Sequence, residues 1–454
     1  MCDSFAAVGK RNRYGRNMIA KIDDRQMGEA EPLVFVPAAN HEAGETIQCT
    51  LITIPQTAHT YAHIGSRIWW MWGYEMGINE KGVTVVYNAE HSVFPVDPEL
   101  GLVGGDLCRL ALERGATAYE AMHVICDLVE QYGQEGNNHL LDFCRYEEGF
   151  LISDAKEIWR LETAGHKWIA KRVTGAEALT NHYNIQTEYD EIADGLIEYA
   201  VENKLTDPAK PFNFAQAFNQ PSIWYMRAAI RGNRVQELLD EIGEDLDVVY
   251  ARRIFSDHYE GTMLRPRFSV GTAVFPGVCM HAHVPGNAKN DASIITVYDD
   301  VLGPVTWSCY STCCTSAFLP VYFTGYLPER LSYATGKYEK KSLWWTMEWL
   351  GIVTEMEYNA SIGRVRSVLN GVQSRIDEDA RITEAKAKEL VRTGKKEEAF
   401  ALLNALMDRS TEALYEAAAP LADELYAEVK KAGGPFGPRN RGLVPIWERD
   451  GLPL

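Results

Sequence analysis

Strand-forming and helix-forming patterns divide this chain near residue 330. Up to that point, short runs rich in valine, isoleucine, threonine and aromatic residues alternate with amphipathic stretches such as 105–132 and 222–242. From about residue 340 the strand signals stop, and 362–431 is rich in alanine, glutamate, lysine and leucine, with apolar residues spaced about 3.6 apart. The pattern predicts a mixed α and β part followed by helices alone.

The helical part is predicted to be interrupted and to end before the last residues of the sequence. Thr393-Gly394-Lys395 breaks it into at least two helices, and Gly433-Gly434-Pro435 ends it. We therefore predict a main domain over 2–330, a helical region over 340–432 and an irregular tail over 433–454. The helical region is expected to pack on the main domain or on a second copy of the chain, which would make a homo-oligomer.

The composition limits the partners that this chain can have. Its 454 residues carry a formal net charge of −18, which repels polyanions, so we predict neither nucleic acid nor a membrane surface as a partner. No apolar run reaches the roughly 18 residues of a spanning helix. The nine cysteines are scattered and odd in number, which is typical of buried free thiols in a reducing cytoplasm.

A cysteine stands directly after the initiator methionine. Cysteine is small enough for methionine aminopeptidase to remove Met1, so we predict that the mature chain begins at Cys2. That residue would then carry an α-amine with a pKa of about 7.7–8.0 and a thiol with a pKa of about 8.5. One residue would thus supply both a nucleophile and a base near neutral pH. The position alone is weak support, because any chain can have cysteine as its second residue.

The residues that follow Cys2 predict a β-hairpin. Residues 2–8 and 18–22 have strand composition and are separated by a polar turn, and Asp23-Asp24-Arg25 ends the second strand. The hairpin would bring Lys21 and Asp24 back beside Cys2, where a carboxylate and a cation can hold an α-amine and lower the thiol pKa. A solvated turn is the alternative, since Asp-Asp-Arg is ordinary turn composition.

Several segments, in this order, carry a family resemblance. They are Cys2-Asp3-Ser4-Phe5, Ala20-Lys21-Ile22-Asp23-Asp24-Arg25, 66–83, 149–165, Ala178-Leu179-Thr180-Asn181-His182, Asp257-His258-Tyr259-Glu260-Gly261-Thr262 and 312–322. Together they resemble the secernin and dipeptidase-A family of N-terminal nucleophile hydrolases, which is related to bile-salt hydrolase and penicillin V acylase. The family hairpin usually reads Gly-Lys-Asn-Ser-Asp-Arg, so Ala20, Ile22 and Asp23 depart from it.

The resemblance implies a fold and a reaction. The implied fold is α+β, an αββα sandwich of two antiparallel sheets between helical layers. The implied reaction is amide or peptide hydrolysis by an N-terminal cysteine without a cofactor, acting on a small amide or a dipeptide. A dipeptidase is the first expectation, an acylase of a small linear amide is the second, and a secernin-like binding protein without hydrolase activity is the third.

The resemblance also implies roles for particular residues. These are Cys2 as nucleophile, Asn181 and Asn88 as oxyanion donors, Asp24 to orient the α-amine, and Lys21 and Arg227 to shape the local field. Arg227 is chosen from the segment 222–229, which resembles a Ser-x-x-x-x-Arg-Ala-Ala helix of related acylases, and Arg231 and Arg234 remain alternatives. His182 is the competing base, because a histidine near a cysteine invites a Cys–His dyad.

Two cysteine-containing motifs have simpler interpretations than metal or redox chemistry. Cys279-Met280-His281-Ala282-His283 puts three potential metal ligands on one face of a predicted strand, but alternation in a sheet often gives that spacing. The segment resembles a core strand of a family that needs no metal, so we predict no metal site. Cys313 and Cys314 are predicted to lie on opposite faces of a strand, where packing is favoured over a redox role.

Overall fold

The described part of the chain forms two compact units. The computed structural model describes residues 1–95, 97, 99–266, 270, 275–281, 288–434 and 442–454, without the side chain of Trp224. The first unit is Met1–Lys21, Val36–Arg67 and Met71–Asp247, and the second is Ile22–Phe35, Ile68–Trp70 and Val248–Leu454. The last change from one unit to the other along the chain falls after residue 247, and the predicted boundary near residue 330 stays a prediction.

The strands and helices are numbered in chain order. The strands are β1 (Cys2–Ala7), β2 (Met18–Gln26), β3 (Leu33–Val36), β4 (Ala39–Asn40), β5 (Thr46–Gln48), β6 (Thr53–Pro55), β7 (His59–Thr60), β8 (His63–Ser66), β9 (Met76–Asn79), β10 (Thr84–Glu90), β11 (Glu147–Ser153), β12 (Ile158–Ala164), β13 (Lys167–Arg172), β14 (Ala176–Leu179), β15 (Glu191–Ile192), β16 (Ala288–Asp299), β17 (Gly303–Tyr310) and β18 (Leu319–Tyr322). The helices are α1 (Gly104–Arg114), α2 (Ala118–Tyr132), α3 (Leu196–Glu202), α4 (Phe214–Phe218), α5 (Ile223–Ile242), α6 (Val248–Phe255), α7 (Glu329–Ser332), α8 (Leu343–Met356), α9 (Tyr358–Arg392), α10 (Lys396–Lys431) and α11 (Val444–Asp450).

The first unit is built in layers. One sheet portion has the order β14-β1-β2, and a larger one has the order β15-β13-β12-β11-β10-β9-β8. Helices α1 and α2 pack on the larger portion, β1 packs against β10, and α5 packs on β1 and β14. The first unit therefore has the order helix, sheet, sheet, helix, and the predicted α+β class is confirmed.

Side chains on β10 alternate between the two faces of the sheet, apolar on one face and polar on the other. Val85, Tyr87 and Ala89 belong to the apolar core that includes buried residues of α1 and α2. Asn88 points to the opposite face, where its carboxamide accepts a hydrogen bond from Ser4 Oγ at 2.6 Å. One strand thus contributes apolar residues to the core on one face and a polar group beside β1 on the other.

The hairpin after Cys2 is present, and its second strand is longer than the sequence predicts. β2 continues to Gln26, and Asp23, Asp24 and Arg25 are all buried within it. The alternative of a solvated turn is therefore wrong. Buried charges need partners, and Glu29 supplies one by accepting from Arg25 Nη2 at 3.2 Å.

The second unit joins the later strands to the C-terminal helices. Its sheet portion has the order β2-β16-β17-β18, α8 packs on β17, and α9 and α10 pack on each other. The predicted break is confirmed: α9 ends at Arg392 and α10 begins at Lys396, with Gly394 at φ +80° between them. None of the helices in the described ranges has the length and apolar character needed to cross a bilayer.

The last residues are partly helical rather than wholly irregular. Helix α11 covers Val444–Asp450, within the tail for which irregular structure was predicted. It has a proline in its first turn, where the missing N–H of proline leaves no helical hydrogen bond unmade. Proline disrupts the interior of a helix, but in the first turn it is compatible with one.

Candidate active site

Cys2 and Asn181 face each other across the edge of a strand pair. Cys2 begins β1 and is buried, and its backbone N–H donates to Asn181 Oδ1 at 2.9 Å. Ser4 pairs with Leu179 in the antiparallel register of β1 and β14. Continuing that register by two residues places Asn181 opposite Cys2, so the chain just after β14 delivers the asparagine to the cysteine.

The carboxamide of Asn181 is held in one orientation. Its Oδ1 accepts from Arg231 Nη2 at 2.6 Å as well as from Cys2, and its Nδ2 donates to the carbonyl of Ala89 at 2.8 Å. Because two donors face one end of the carboxamide and an acceptor faces the other, the positions of its oxygen and nitrogen are determined. Nδ2 carries two hydrogens, and within the described part of the chain the one that does not bond to Ala89 is available to another acceptor, such as a developing oxyanion.

Arg231 connects this carboxamide to a carboxylate. Its Nε lies 2.9 Å from Asp3 Oδ2 and 3.1 Å from Oδ1, and both side chains are fully buried. Asp3 follows Cys2 directly, so alternation along β1 turns it to the other face of the strand, toward α5. Burial raises the pKa of Asp3, and the Arg231 guanidinium acts in the opposite direction.

The structure distinguishes the three candidate arginines of α5. Arg231 makes the contacts to Asp3 and Asn181. Arg227, one turn earlier, offers its backbone carbonyl to Arg231 Nη1 at 3.5 Å, and Arg234 pairs with Glu237 at 3.0 Å. We therefore assign the arginine contact to Arg231, and a role for the Arg227 side chain stays a prediction.

Asn88 is positioned beside the same strand. Its Nδ2 donates to the Leu179 carbonyl at 3.0 Å, and its Oδ1 accepts from Ser4. Ser4 lies two residues after Cys2 and therefore on the same face of β1. The structure thus brings Asn88 to the Cys2 side of the strand, and its role as a second oxyanion donor stays a prediction.

Lys21 is part of a buried ion pair. Its Nζ lies 2.7 Å from Glu75 Oε2, and the other oxygen of Glu75 accepts from the Tyr87 hydroxyl at 2.6 Å. The ammonium also lies 4.4 Å from the centre of the Tyr87 ring. Sequence reasoning missed Glu75, because no local pattern links residues 54 positions apart. The charge of Lys21 is balanced by this carboxylate.

Asp24 lies in the second unit, where its Oδ1 accepts from Asn290 Nδ2 at 2.5 Å. The sequence assigns Asp24 to the α-amine of Cys2, and this role stays a prediction. The structure shows a hydrogen bond from Cys2 N to the carboxamide of Asn181.

His182 is a poor candidate for the base. It is buried, and its Nδ1 lies 2.9 Å from Thr180 Oγ1. Burial lowers the pKa of His182 to about 4, with further lowering by the positive charges of Arg160 and Arg231. A general base works best when its pKa lies near the working pH, so this imidazole accepts a proton weakly at neutral pH.

The Asp3–Arg231 pair leads to a stability prediction. Replacing Arg231 with methionine should lower the free energy of unfolding by about 3–5 kcal/mol, because it leaves a buried carboxylate without its cation. Urea denaturation followed by circular dichroism measures this. The matched control is Arg13→Ala: Arg13 forms exposed pairs with Asp245 and Asp247, and its loss should cost less than about 1 kcal/mol. Equal effects of the two variants would contradict the assignment.

The comparison that identifies the chain is with a family of peptidases. Residues 2–370 match peptidase family C69, and the chain belongs to that family. Two curated relatives are each called "Probable dipeptidase A", from Streptococcus pyogenes serotype M3 (strain SSI-1) and serotype M18 (strain MGAS8232). Each is 23% identical over 398 residues, which are 78% of this chain and 83% and 81% of the relatives. As a peptidase-family member, the chain is a hydrolase of amide bonds.

Solved structures were matched as well. The C2A mutant of conjugated bile acid hydrolase from Clostridium perfringens is 11% identical and covers 75% of this chain and 98% of its own, with a TM-score of 0.42. Penicillin V acylase from Agrobacterium tumefaciens is 14% identical and covers 71% of this chain and 86% of its own, with a TM-score of 0.40. The family match confirms the resemblance to dipeptidase A that the sequence motifs indicate.

Proposed function

We propose that this chain is a dipeptidase whose nucleophile is the thiol of Cys2 and whose base is the α-amine that removal of Met1 would free. The observation that carries the proposal is the 2.9 Å hydrogen bond from Cys2 N to Asn181 Oδ1. The nitrogen in that bond is the atom that becomes the α-amine. It already sits against the carboxamide that we propose as an oxyanion donor.

The proposed reaction is acyl transfer through a thioester. The α-amine takes the thiol proton, directly or through water, and the thiolate attacks the peptide carbonyl. The free N–H of Asn181, with Asn88, stabilises the tetrahedral oxyanion. The α-amine then gives this proton to the leaving amine, and the amine product departs. Water, deprotonated by the same amine, then cleaves the thioester and restores the thiol.

Charge around Asn181 supports an amine that is neutral and able to act as a base. The Arg231 guanidinium bonds to the same oxygen as Cys2 N, at 2.6 Å. A cation this close disfavours a second positive charge on the α-amine. The buried carboxylate of Asp3 on the far side of Arg231 moderates this effect.

The choice of dipeptides rests on the curated relatives, which are called "Probable dipeptidase A". The test uses paired substrates: unblocked dipeptides, the same dipeptides acetylated at the amine, and simple N-acyl amides. We expect the unblocked dipeptides to be cleaved fastest. Preference for the N-acyl amides would replace the proposal with an acylase, and no turnover of any class by protein that begins at Cys2 would favour a binding protein.

The free α-amine can be tested by changing the N-terminus alone. Intact mass of the purified protein should be one methionine below the full translation. A lysine inserted between Met1 and Cys2 should block this trimming and abolish turnover, because the thiol remains while its base is lost. A serine inserted at the same place, followed by a protease that exposes Cys2 again, serves as the matched control. Full activity of the lysine-insertion variant would contradict the proposed base.

A further inference from the structure

Two cysteines and two histidines meet in the interior of the second unit, far along the chain from Cys2. They are His258, Cys279, His281 and Cys314, which we call the thiol–imidazole cluster. Each side chain is at most 5% exposed, and one nitrogen or sulfur from each lies within 4.8 Å of those of the other three. Four potential metal-ligand atoms thus converge in a buried place, where polar groups need partners.

The distances within the cluster match tetrahedral coordination. With Zn–N near 2.0–2.1 Å and Zn–S near 2.3 Å, tetrahedral ligands lie about 3.4 Å apart for two nitrogens and about 3.6 Å apart for nitrogen and sulfur. His258 Nε2 is 3.1 Å from His281 Nε2. His281 Nε2 is 3.7 Å from Cys279 Sγ and 3.5 Å from Cys314 Sγ. These separations agree with a common centre to within a few tenths of an ångström.

Both imidazoles are oriented by carboxylates. Nδ1 of His281 lies 2.7 Å from Glu355 Oε1, and Nδ1 of His258 lies 3.3 Å from Glu260 Oε1. A carboxylate at Nδ1 keeps the proton on that nitrogen, so Nε2 presents a lone pair. Two such lone pairs face each other at 3.1 Å, and they repel unless a cation or a proton lies between them. Carboxylate–histidine pairs of this kind support the metal ligands of zinc sites.

The cluster joins segments that are distant in the chain. His258 follows α6, Cys279 and His281 lie in a segment without regular structure, and Cys314 lies in the 3-10 helix Cys313–Thr315. Tyr259, between His258 and Glu260, has φ +61°, a left-handed conformation that costs a non-glycine residue about 1–3 kcal/mol. A centre bound by all four side chains would hold these segments together.

We propose that the thiol–imidazole cluster binds one zinc ion in a closed, structural site. Two thiolates and two neutral imidazoles in tetrahedral arrangement are the ligand set of many structural zinc sites. Four protein ligands leave no position for water or substrate, so the proposed ion stabilises the fold and takes no part in hydrolysis. The hydroxyl of Tyr358 donates to Cys314 Sγ at 3.6 Å, which would support a thiolate ligand.

A second catalytic centre is the competing interpretation. Cys314, His281 and Glu355 are arranged like a catalytic triad, in which one imidazole nitrogen contacts the thiol and the other contacts the carboxylate. In a triad, however, Nε2 of the imidazole serves one thiol. Here Nε2 of His281 also has Cys279 Sγ at 3.7 Å and His258 Nε2 at 3.1 Å, so the nitrogen is shared among three groups. That arrangement fits a common cation better than it fits proton transfer to a single sulfur.

The proposal revises what the sequence predicts for these residues. Cys279 and His281 belong to the motif that was considered for a metal, but their partners are His258 and Cys314. His283, the third member of that motif, lies outside the described residues. The proposal therefore departs from the expectation of no metal site, and two of its four ligands come from outside that motif.

A cavity lies beside the cluster. It has a volume of about 330 Å³, and its lining includes Glu260 and Cys314, as well as Arg253 and Arg366. Glu260 is the carboxylate beside His258, so the cavity reaches both a ligand and the group that orients another.

The test begins with the metal content of the intact, full-length protein. The protein is purified without chelators and dialysed against metal-free buffer. Inductively coupled plasma mass spectrometry should then find about one zinc ion per chain. Replacement of the ion by cobalt(II) should give the visible absorption of a tetrahedral centre and a near-ultraviolet thiolate-to-metal band. Neither readout depends on hydrolytic activity, so the outcome is separate from that of the proposed dipeptidase.

Variants identify the ligands. Cys314→Ser and His258→Gln should each reduce bound zinc to about one tenth or less, while Cys313→Ser should keep it. Cys313 is the matched control, since it is the buried neighbour of Cys314 and its sulfur lies 3.1 Å from Ser293 Oγ instead. Glu355→Gln should weaken zinc affinity by about 10–100-fold. If a ligand variant fails to fold, refolding of the wild-type protein with and without zinc replaces it, and recovery should require the ion.

Three outcomes would overturn the proposal. The first is wild-type protein with less than about one tenth of a metal ion per chain that refolds equally well without zinc. The second is a disulfide between Cys279 and Cys314 in protein purified under reducing conditions, shown by thiol counting and peptide mass. The third is loss of hydrolysis in Cys314→Ala but not in Cys2→Ala, which would make the cluster the catalytic centre.

Discussion

Replacing Cys2 with alanine is expected to lower kcat for dipeptide hydrolysis by about 10⁶, the loss seen when a hydrolase loses its nucleophile. The sulfur forms the bond that breaks the peptide, so without it no thioester can form. Residual turnover would come only from binding and from donors to the oxyanion. The small side chain contributes little to the core, so the free energy of unfolding should change by no more than about 1–2 kcal/mol. Steady-state kinetics and urea denaturation measure the two quantities.

The control for this variant is another buried thiol of the first unit. Cys108 lies on α1, with its sulfur 3.7 Å from the Val85 carbonyl, and burial raises its thiol pKa. Cys108→Ala should therefore keep its activity, because that sulfur remains protonated and is enclosed in the apolar core. Loss of activity in both variants would point to a general effect of removing buried sulfur. Activity in Cys2→Ala would refute the assignment of Cys2 as the nucleophile.

The parts of the fold that could be predicted from sequence are those with local signals. The hairpin at Cys2, the strand leading to Asn88 and the break at Gly394 each follow from residue types within a few positions. Helix α5 begins where Ser222 caps it by accepting from Tyr225 N, a pattern visible in the sequence. The resemblance to a family supplied Asn181, which no pattern would have placed opposite Cys2.

The parts of the site that could not be predicted are its long-range pairs. Arg231 and Asp3 are 228 positions apart, and only the packing of α5 on β1 brings them together. Three arginines on one helix look equivalent in sequence, because the burial of each depends on which face of the helix meets the sheet. Glu75 was missed for the same reason, since its partner Lys21 lies on β2, 54 positions away in the chain.

The two cysteines at 313 and 314 show a further limit. A strand would put neighbouring side chains on opposite faces, which is the interpretation that the apolar sequence favours. The segment is instead a 3-10 helix, in which successive side chains are about 120° apart. Cys314 therefore turns toward His281 while Cys313 turns toward Ser293. Alternation in the sequence predicted the wrong element and so concealed the thiol–imidazole cluster.

Asn181→Ala is expected to lower kcat by about 10²–10³, the usual cost of one oxyanion donor. The N–H that is free of Ala89 is the donor, and its hydrogen bond strengthens only as negative charge develops on the carbonyl oxygen. We therefore expect kcat and kcat/KM to fall together while KM changes little. Steady-state kinetics on an unblocked dipeptide measures all three quantities.

Asn181 also positions other groups, so a second substitution separates its two roles. Its Oδ1 accepts from both Cys2 N and Arg231, and Asn181→Asp keeps an oxygen there while it removes the N–H donor. If the residue acts by donating to the oxyanion, the aspartate variant should be as slow as the alanine variant or slower, because its charge repels the oxyanion. Recovery of activity in Asn181→Asp would show that positioning of Cys2 and Arg231 is the main role.

His182 is the matched neighbour that identifies the base. With a pKa lowered to about 4 by burial, its imidazole is neutral throughout the range in which a thiol of pKa about 8.5 must be activated. His182→Gln should therefore keep the ascending limb of the pH–rate profile, which the α-amine sets, and lose no more than a few-fold in kcat. In a Cys–His dyad the same change would remove the base and with it the ascending limb. A His182→Gln enzyme as inactive as Cys2→Ala would mean that histidine, and not the α-amine, takes the proton from the thiol.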